Sequence, residues 1–187
     1  MPDLNFWYGT MGSSKTAQAL MTKSQWETKG FRVALLKPDT DTRWGTGTVR
    51  SRIGLQSPCI SVRPQDDLLL WKMSNPKYQS VLVDEVQFLQ PKQIDQLKEI
   101  AMRWVPVSCY GLKTDFRTQL FPASKRLFEI ADHIFEIPSV CRCGRKAQVN
   151  ARIKEGHIQK EGDLIEIGGE ERYVSLCYKC YQEERLW

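Results

Sequence analysis

Eight residues near the start of the chain nearly fit the pattern G-x-x-x-x-G-K-[ST]: Gly9, Thr10, Met11, Gly12, Ser13, Ser14, Lys15 and Thr16. The chemistry open to such a loop is phosphate binding. Glycines let backbone N–H groups curl closely around an anion. The lysine reaches the β- and γ-phosphates of a nucleotide, and the hydroxyl meets Mg²⁺. An apolar run, Leu4 to Tyr8, precedes the loop and a helix-forming stretch follows it. The positive end of that helix then points at the same anion. Ser14 stands where the pattern has its last glycine, and left-handed backbone there costs a serine about 1 kcal/mol.

A second chemical group closes the stretch "SVLVDEVQF", where Asp84 and Glu85 follow an apolar strand. In a parallel sheet that strand end lies on the same edge as the phosphate loop. Asp84 is then placed to hold Mg²⁺ through water. Glu85, one residue on and aimed differently, can take a proton from an attacking hydroxyl or water. The loop and the strand leave a water-activating motor ATPase and an alcohol-phosphorylating kinase equally open.

The third group is four cysteines. Cys141 and Cys143, with one residue between them, and Cys177 and Cys180, with two between them, are spaced as two ligand pairs of a tetrahedral zinc site, with Gly144 permitting the first turn. Four protein ligands leave no open position, so the zinc is structural, stapling the segment between the pairs. Within that segment "LIEI" resembles a short strand before a Gly-Gly turn. Cys59 and Cys109 stand alone, and Cys109, in "VPVSCYGL", reads as a buried thiol.

The elements that must position these groups alternate in type. Strands are expected at "LNFWY", "FRVALLK", "SVLVDE", "VPVSCYGL" and "HIFEI". Helices are expected from Lys15 to Lys29, closed by Gly30, over "PQDDLLLWKM", from Pro91 onward, and from Pro122 to Asp132. In the Pro91 helix, Ile94, Leu97, Ile100, Ala101 and Trp104 fall on one face. The Thr/Gly/Ser-rich segment from Asp39 to about Pro58 reads as an exposed loop. Apolar strands separated by helices imply an α/β fold, a parallel sheet with helices on both faces. Right-handed crossovers bring its strand-to-helix loops to one carboxyl edge. After Pro138 the character changes to cysteines, charges and glycines. The expected organisation is a nucleotide-binding unit over 1–138 and a small zinc-binding unit over 139–187.

At 187 residues, 41% hydrophobic and 26% charged, the chain has an ordinary globular composition with room for one sizeable core and an appendage. The net charge of +5 favours anionic partners, but the basic residues are scattered and read as solvated surface rather than a nucleic-acid stripe. No apolar run approaches the length of a membrane span and no secretory signal is evident, so a soluble, cytoplasmic protein is expected. Six cysteines in such a chain argue against a disulfide framework.

Together these residues resemble the thymidine kinases of the P-loop, zinc-containing type. The phosphate loop is similar to that family's G-x-M-x-S-G-K-[ST], Met11 included, and "DEVQF" to its D-E-x-Q-F. "KPDTDTRWGTGTVRSRIG" resembles its K-x-x-x-D-x-R-[YF] segment and the S-R-I-G of one bacterial branch. "CYGLKTDFRTQLF", "CRCGRKA" and "IGGEERYVSLCYKCY" match further motifs in the family's order, from Leu4 to about Tyr181. Ser14 and Val86 depart from it, each standing where many members have glycine.

The resemblance implies ATP-dependent phosphorylation of thymidine, or of deoxyuridine, at the 5′-hydroxyl, in nucleoside salvage. Glu85 would be the general base, Asp84 and Thr16 would serve Mg²⁺, and the loop from Gly9 to Thr16 would hold the phosphates. Asp41, Thr42 and Arg43 would lie near the phosphates and Gln87 at the nucleotide site. Phe116 and Phe121 would flank the thymine ring. Leu164, Ile165, Glu166, Ile167 and Gly168 would bind the base through main-chain groups of a lasso loop, with Tyr173 closing over the nucleoside. A homotetramer inhibited by thymidine triphosphate (dTTP) is also implied. Two other readings predict different behaviour. A zinc-ribbon nucleic-acid-binding P-loop ATPase would show salt-sensitive DNA binding, and a nucleotide sensor that has lost catalysis through Ser14 would bind without turnover.

Overall fold

Alternation of burial along Leu4–Tyr8, with Leu4 and Phe6 wholly enclosed, makes this run the first strand, β1. The computed structural model describes residues 3–41, 45, 47–162 and 173–186. The phosphate loop leads from β1 into α1 (Lys15–Thr28), which stops where Gly30 takes a φ of +87°. β2 (Val33–Pro38) is buried at every position. A hairpin of β3 (Thr48–Arg50) and β4 (Gln56–Pro58) follows, then β5 (Ile60–Val62). α2 (Leu68–Ser74) leads to β6 (Ser80–Val83), also buried throughout, and to a single 3-10 turn at Val86–Phe88. α3 (Pro91–Arg103), β7 (Val107–Gly111), α4 (Pro122–Ile130) and β8 (His133–Glu136) complete the core.

Among the described residues the main sheet has six strands in the order β5-β2-β6-β7-β1-β8, all parallel. α1 lies on one face, and α2, α3 and α4 pack in a row on the other. The fold is α/β, as expected, with a P-loop NTPase-like core. α3 shows why the helices stay: Ile94, Leu97, Ile100 and Ala101 are 0% exposed, and each buried Ile or Leu contributes about 1.5–3 kcal/mol. Trp104, expected on the same face, lies past the helix end and is exposed.

Three local expectations are corrected. The segment expected as an exposed loop up to Pro58 contains the β3–β4 hairpin, with Val49 buried beside Leu20 and Tyr110. β5 was not expected at all; three residues between two prolines carry too little periodicity to register. α2 begins at Leu68 rather than Pro64, because the Asp67 carboxylate accepts from the N–H groups of Leu69 and Leu70 at 2.9 and 3.0 Å.

Past residue 138, a three-stranded antiparallel sheet in the order β10-β9-β11 is built from β9 (Val149–Lys154), β10 (His157–Gln159) and β11 (Tyr173–Leu176). The short α5 (Tyr178–Gln182) packs on it. Ala147, Val149, Ala151, Ile158, Leu176, Tyr181 and three of the cysteines form its own apolar cluster. The "LIEI" stretch lies outside the described residues. No helix among the described residues is long and apolar enough to cross a membrane.

Candidate active site

Because every strand of the main sheet runs the same way, β1, β2, β6 and β7 deliver their ends to one rim. β7 lies between β1 and β6, so the phosphate loop, Gly111 and Asp84 stand side by side there. The loop has the shape its residues demand. Gly12 has a φ of +78°, and Ser14, at φ 65° and ψ 23°, does adopt the left-handed backbone expected of that position. At Gly9 a Cβ would run into Ser13 Oγ and lie 2.6 Å from the Ile137 carbonyl. Lys15, 8% exposed, folds back so that Nζ donates to the Thr10 carbonyl at 2.6 Å and to Ser13 Oγ at 3.3 Å.

Thr16 Oγ1 donates to Asp84 Oδ2 at 3.0 Å. Asp84 is almost fully enclosed. Burial, reinforced by the neighbouring Glu85 carboxylate, pushes its carboxyl up to about 7. A buried acidic group whose charge is so poorly compensated, with a threonine hydroxyl on it, is a donor set that fits a hard divalent cation. Glu85 has left-handed backbone, φ 52° and ψ 37°. Its Oε2 accepts from Gln87 Nε2 at 2.6 Å, and Gln87 Oε1 in turn accepts from the Leu112 N–H at 3.0 Å. Gln87 therefore ties Glu85 to the end of β7. Val86 is fully buried, packed toward Gly111.

Lys15, Thr16, Asp84 and Glu85 line one cleft of about 910 Å³ including its open mouth, together with Asp41. Three cations in its wall, Lys37, Arg50 and Arg52, were not among the expected site residues. Lys37 is 1% exposed; its Nζ lies 3.4 Å from Asp41 Oδ2 and donates to the carbonyls of Gly45 and Thr48. The one signal for it was a lysine closing a strand otherwise apolar. Arg50 and Arg52 arrive on the hairpin that was read as loop. Thr42 and Arg43 lie outside the described residues.

Phe116 and Phe121, expected to flank the base, are buried, at 2% and 7% exposure. The Asp115 carboxylate shapes this loop by accepting from the N–H groups of Arg117 and Gln119 and from the Arg117 guanidinium. The Arg152 guanidinium lies 3.8 Å from the Phe116 ring centre, and its Nε donates to the Tyr173 hydroxyl at 3.0 Å. Phe116 and Tyr173 are thus brought together through an arginine that sequence reasoning missed. Phe121 packs edge-on against Phe88, centroids 5.9 Å apart. Residues 164–168 lie outside the described residues.

The four cysteines of the C-terminal unit meet: all four sulfurs lie within 4.8 Å of one another, and Cys143 Sγ is 3.7 Å from Cys177 Sγ. Sulfurs around a tetrahedral zinc, with bonds of about 2.3 Å, stand roughly 3.8 Å apart, so the cluster fits a structural metal site. Gly144, at φ +83°, makes the turn that brings Cys143 back to Cys141. The Cys180 N–H donates to Cys177 Sγ at 3.4 Å and holds that thiol down at about 7. Cys109 is wholly buried, as expected, and burial pushes its thiol far up.

A phosphate loop after one strand and an acidic residue closing a strand two places away in the same parallel sheet define a nucleotide-binding P-loop core, here with a four-cysteine appendage. The family model described as thymidine kinase matches residues 2–181. The chain is 39% identical over 188 residues to the thymidine kinase of Photobacterium profundum, covering 98% of both chains. It is equally identical to those of Legionella pneumophila (strain Philadelphia 1), over 97% of this chain and 90% of that one, and Rhizobium meliloti (strain 1021), over 98% and 97%. The chain belongs to the thymidine kinase family, and its reaction is the phosphorylation of thymidine. Among solved structures, the Pif1 helicase of Candida albicans overlays with a TM-score of 0.40 at 13% identity, over 73% of this chain. The chain spans 36% of that helicase, an overlap too slight to bear on function.

Proposed function

We propose that the phosphoryl donor is ATP and that its γ-phosphoryl group passes to the 5′-hydroxyl of thymidine or deoxyuridine, in pyrimidine deoxynucleoside salvage. One observation carries the reading: a phosphate-loop lysine and a carboxylate with room in front of it share one cleft. In the reaction the 5′-oxygen forms a bond to the γ-phosphorus, the bond from that phosphorus to the β-phosphate oxygen breaks, and ADP leaves. Glu85, held by Gln87, takes the hydroxyl proton. Lys15 and the loop amides neutralise and align the phosphates. Thr16 and Asp84 would hold the magnesium ion of Mg-ATP, which supplies further charge compensation.

Phe116 and Phe121 would flank the base and Tyr173 would close over the nucleoside, with residues 164–168 binding the base through their main chain. The four cysteines hold zinc, which fixes that loop. We further read the chain as two units, 1–138 and 139–187, acting in the cytoplasm as a homotetramer that dTTP inhibits. Support for these last points is the family resemblance.

Incubating the chain with Mg-ATP and labelled thymidine, with and without single-stranded DNA, tests the reading. Labelled monophosphate upholds it. Free phosphate that rises with DNA would instead indicate an ATPase, and ATP binding without any product a sensor.

Two variants probe the carboxylates. A Cβ at Gly111 would lie 2.6 Å from Gln87 Oε1 and 2.7 Å from Val86 Cγ1. Gly111→Ala should therefore shift Gln87 and Glu85 together and lower kcat roughly 10²-fold, with ATP affinity little changed. For Asp84, a carboxyl raised in the folded state binds its proton more tightly there than in the unfolded chain. Its stabilising contribution is full below the ordinary carboxylate range and is lost as pH rises through about 7. Without added magnesium, Asp84→Asn should be more stable than the parent at pH 8 by on the order of 2 kcal/mol. The difference should vanish near pH 4. Thermal melts at the two pH values read this directly, and the variant should lose magnesium-dependent turnover.

A further inference from the structure

Both polar groups of the Met11 backbone, in the middle of the phosphate loop, are held from outside the loop. The Met11 N–H donates to Asn150 Oδ1 at 2.7 Å, and the Met11 carbonyl accepts from the Ser175 hydroxyl at 2.6 Å. The two side chains belong to different strands, yet Asn150 and Ser175 stand directly opposite each other in the β9–β11 ladder. Residues so paired project from one face of a sheet, which is why both reach the same residue of the loop. Asn150 is 4% exposed, and its amide nitrogen donates to the Thr114 carbonyl at 3.4 Å, leaving the oxygen toward Met11. One residue earlier in the loop, the hydroxyls of Thr10 and Ser139 are hydrogen-bonded as well.

The loop needs outside support. It has two left-handed residues, Gly12 and Ser14, and the second is not a glycine. Backbone of this kind persists when its surroundings over-determine it. Within the loop, the Ser13 N–H donates to the Thr10 carbonyl at 3.2 Å, and Lys15 Nζ donates to the same carbonyl; neither bond holds Met11. The Met11 N–H is directed to Asn150, so the anion must be met by the other amides of the loop.

We propose that Asn150 and Ser175 are positioning residues for the phosphate loop: a clamp through which the cysteine-bearing unit holds the loop in its anion-binding shape. Neither Asn150 nor Ser175 lines the cleft of the phosphate loop. β11 continues from Ser175 and Leu176 into the cluster residue Cys177, so the fold of the cysteine unit and the affinity for ATP are mechanically linked. The proposal rests on the reading of this loop as the ATP phosphate site.

The test uses the full chain and reads the dissociation constant of Mg-ATP by calorimetry, without nucleoside, beside the KM of each substrate and the metal content. Ser175→Ala leaves the Met11 carbonyl without its donor and should weaken ATP about tenfold, with the KM for thymidine within about twofold and the metal content unchanged. Ser175→Thr keeps the hydroxyl and should restore ATP binding to within about threefold of the parent. Asn150→Ala, read by ATP binding alone, should shift it in the same direction. An ATP constant unchanged in Ser175→Ala and Asn150→Ala overturns the clamp. So does a parallel rise for ATP and thymidine, or a threonine that restores nothing, since either marks general damage to the fold. A parent chain that binds ATP and phosphorylates no nucleoside would defeat the kinase reading and leave the clamp measurable.

Discussion

Glu85→Gln should lower the rate of monophosphate formation by about 10²–10⁴-fold, the usual worth of a positioned general base, while Mg-ATP binds within about twofold of the parent. The substitution isolates proton transfer unusually well here. Gln87 Nε2 donates to Glu85 Oε2 at 2.6 Å and Gln87 itself is held by the Leu112 N–H. A glutamine at 85 still offers Gln87 an amide oxygen, so the side chain keeps its place while losing its charge and its capacity to take a proton. The left-handed backbone at φ 52° strains both side chains equally. Single-turnover kinetics and a calorimetric ATP titration on the same preparation make the comparison. Full activity in the variant would remove Glu85 from the role of base. Loss of ATP binding would mean that the carboxylate instead helps to hold the nucleotide's metal.

Cys177→Ser should have the broadest effect. The cysteine unit is too small to rely on its apolar cluster alone; structural zinc contributes about 10–16 kcal/mol in comparable peptides. Cys177 lies within that cluster and its thiol is already held low by the Cys180 amide, favouring the thiolate that a metal requires. A serine hydroxyl ionises far less readily. We expect metal content to fall from one ion per chain to below about a tenth of that, protease cleavage to appear after residue 138, and turnover to fall by at least about 10²-fold. ATP affinity should fall too, because Asn150 and Ser175 would no longer be held against Met11. Cys109→Ser makes the contrast. That thiol is buried in the main core, well apart from the cluster, so the variant should lose some stability and keep its metal.

Much of the main sheet could be read from local pattern. Apolar runs such as "VALLK" and "SVLV" are long enough to declare buried strands, and a proline at the first position of α3 and of α4 marks each start. The exceptions have local causes. β8, expected simply as a strand, is exposed along its whole length at the edge of the sheet; strand order is not written in composition. The hairpin that carries Arg50 and Arg52 hides in a stretch of threonine, glycine and serine, where no periodicity distinguishes a short ladder from a loop.

The chemical groups divide the same way. Lys15, Thr16, Asp84, Glu85 and the four cysteines were legible because each sits in a short spacing with a chemical reason, and a parallel sheet must carry the ends of β1 and β6 to one rim. Gln87 in its grip on Glu85, Arg152 against Phe116, and the pair Asn150 and Ser175 were not, because each depends on a partner distant along the chain. Asn150 meets Met11 across 139 positions and Ser175 meets it across 164. Spacing within a motif is a property of covalent geometry and survives in the bare sequence. A contact between two such distant segments exists only once both sheets have packed, and nothing in either segment names the other.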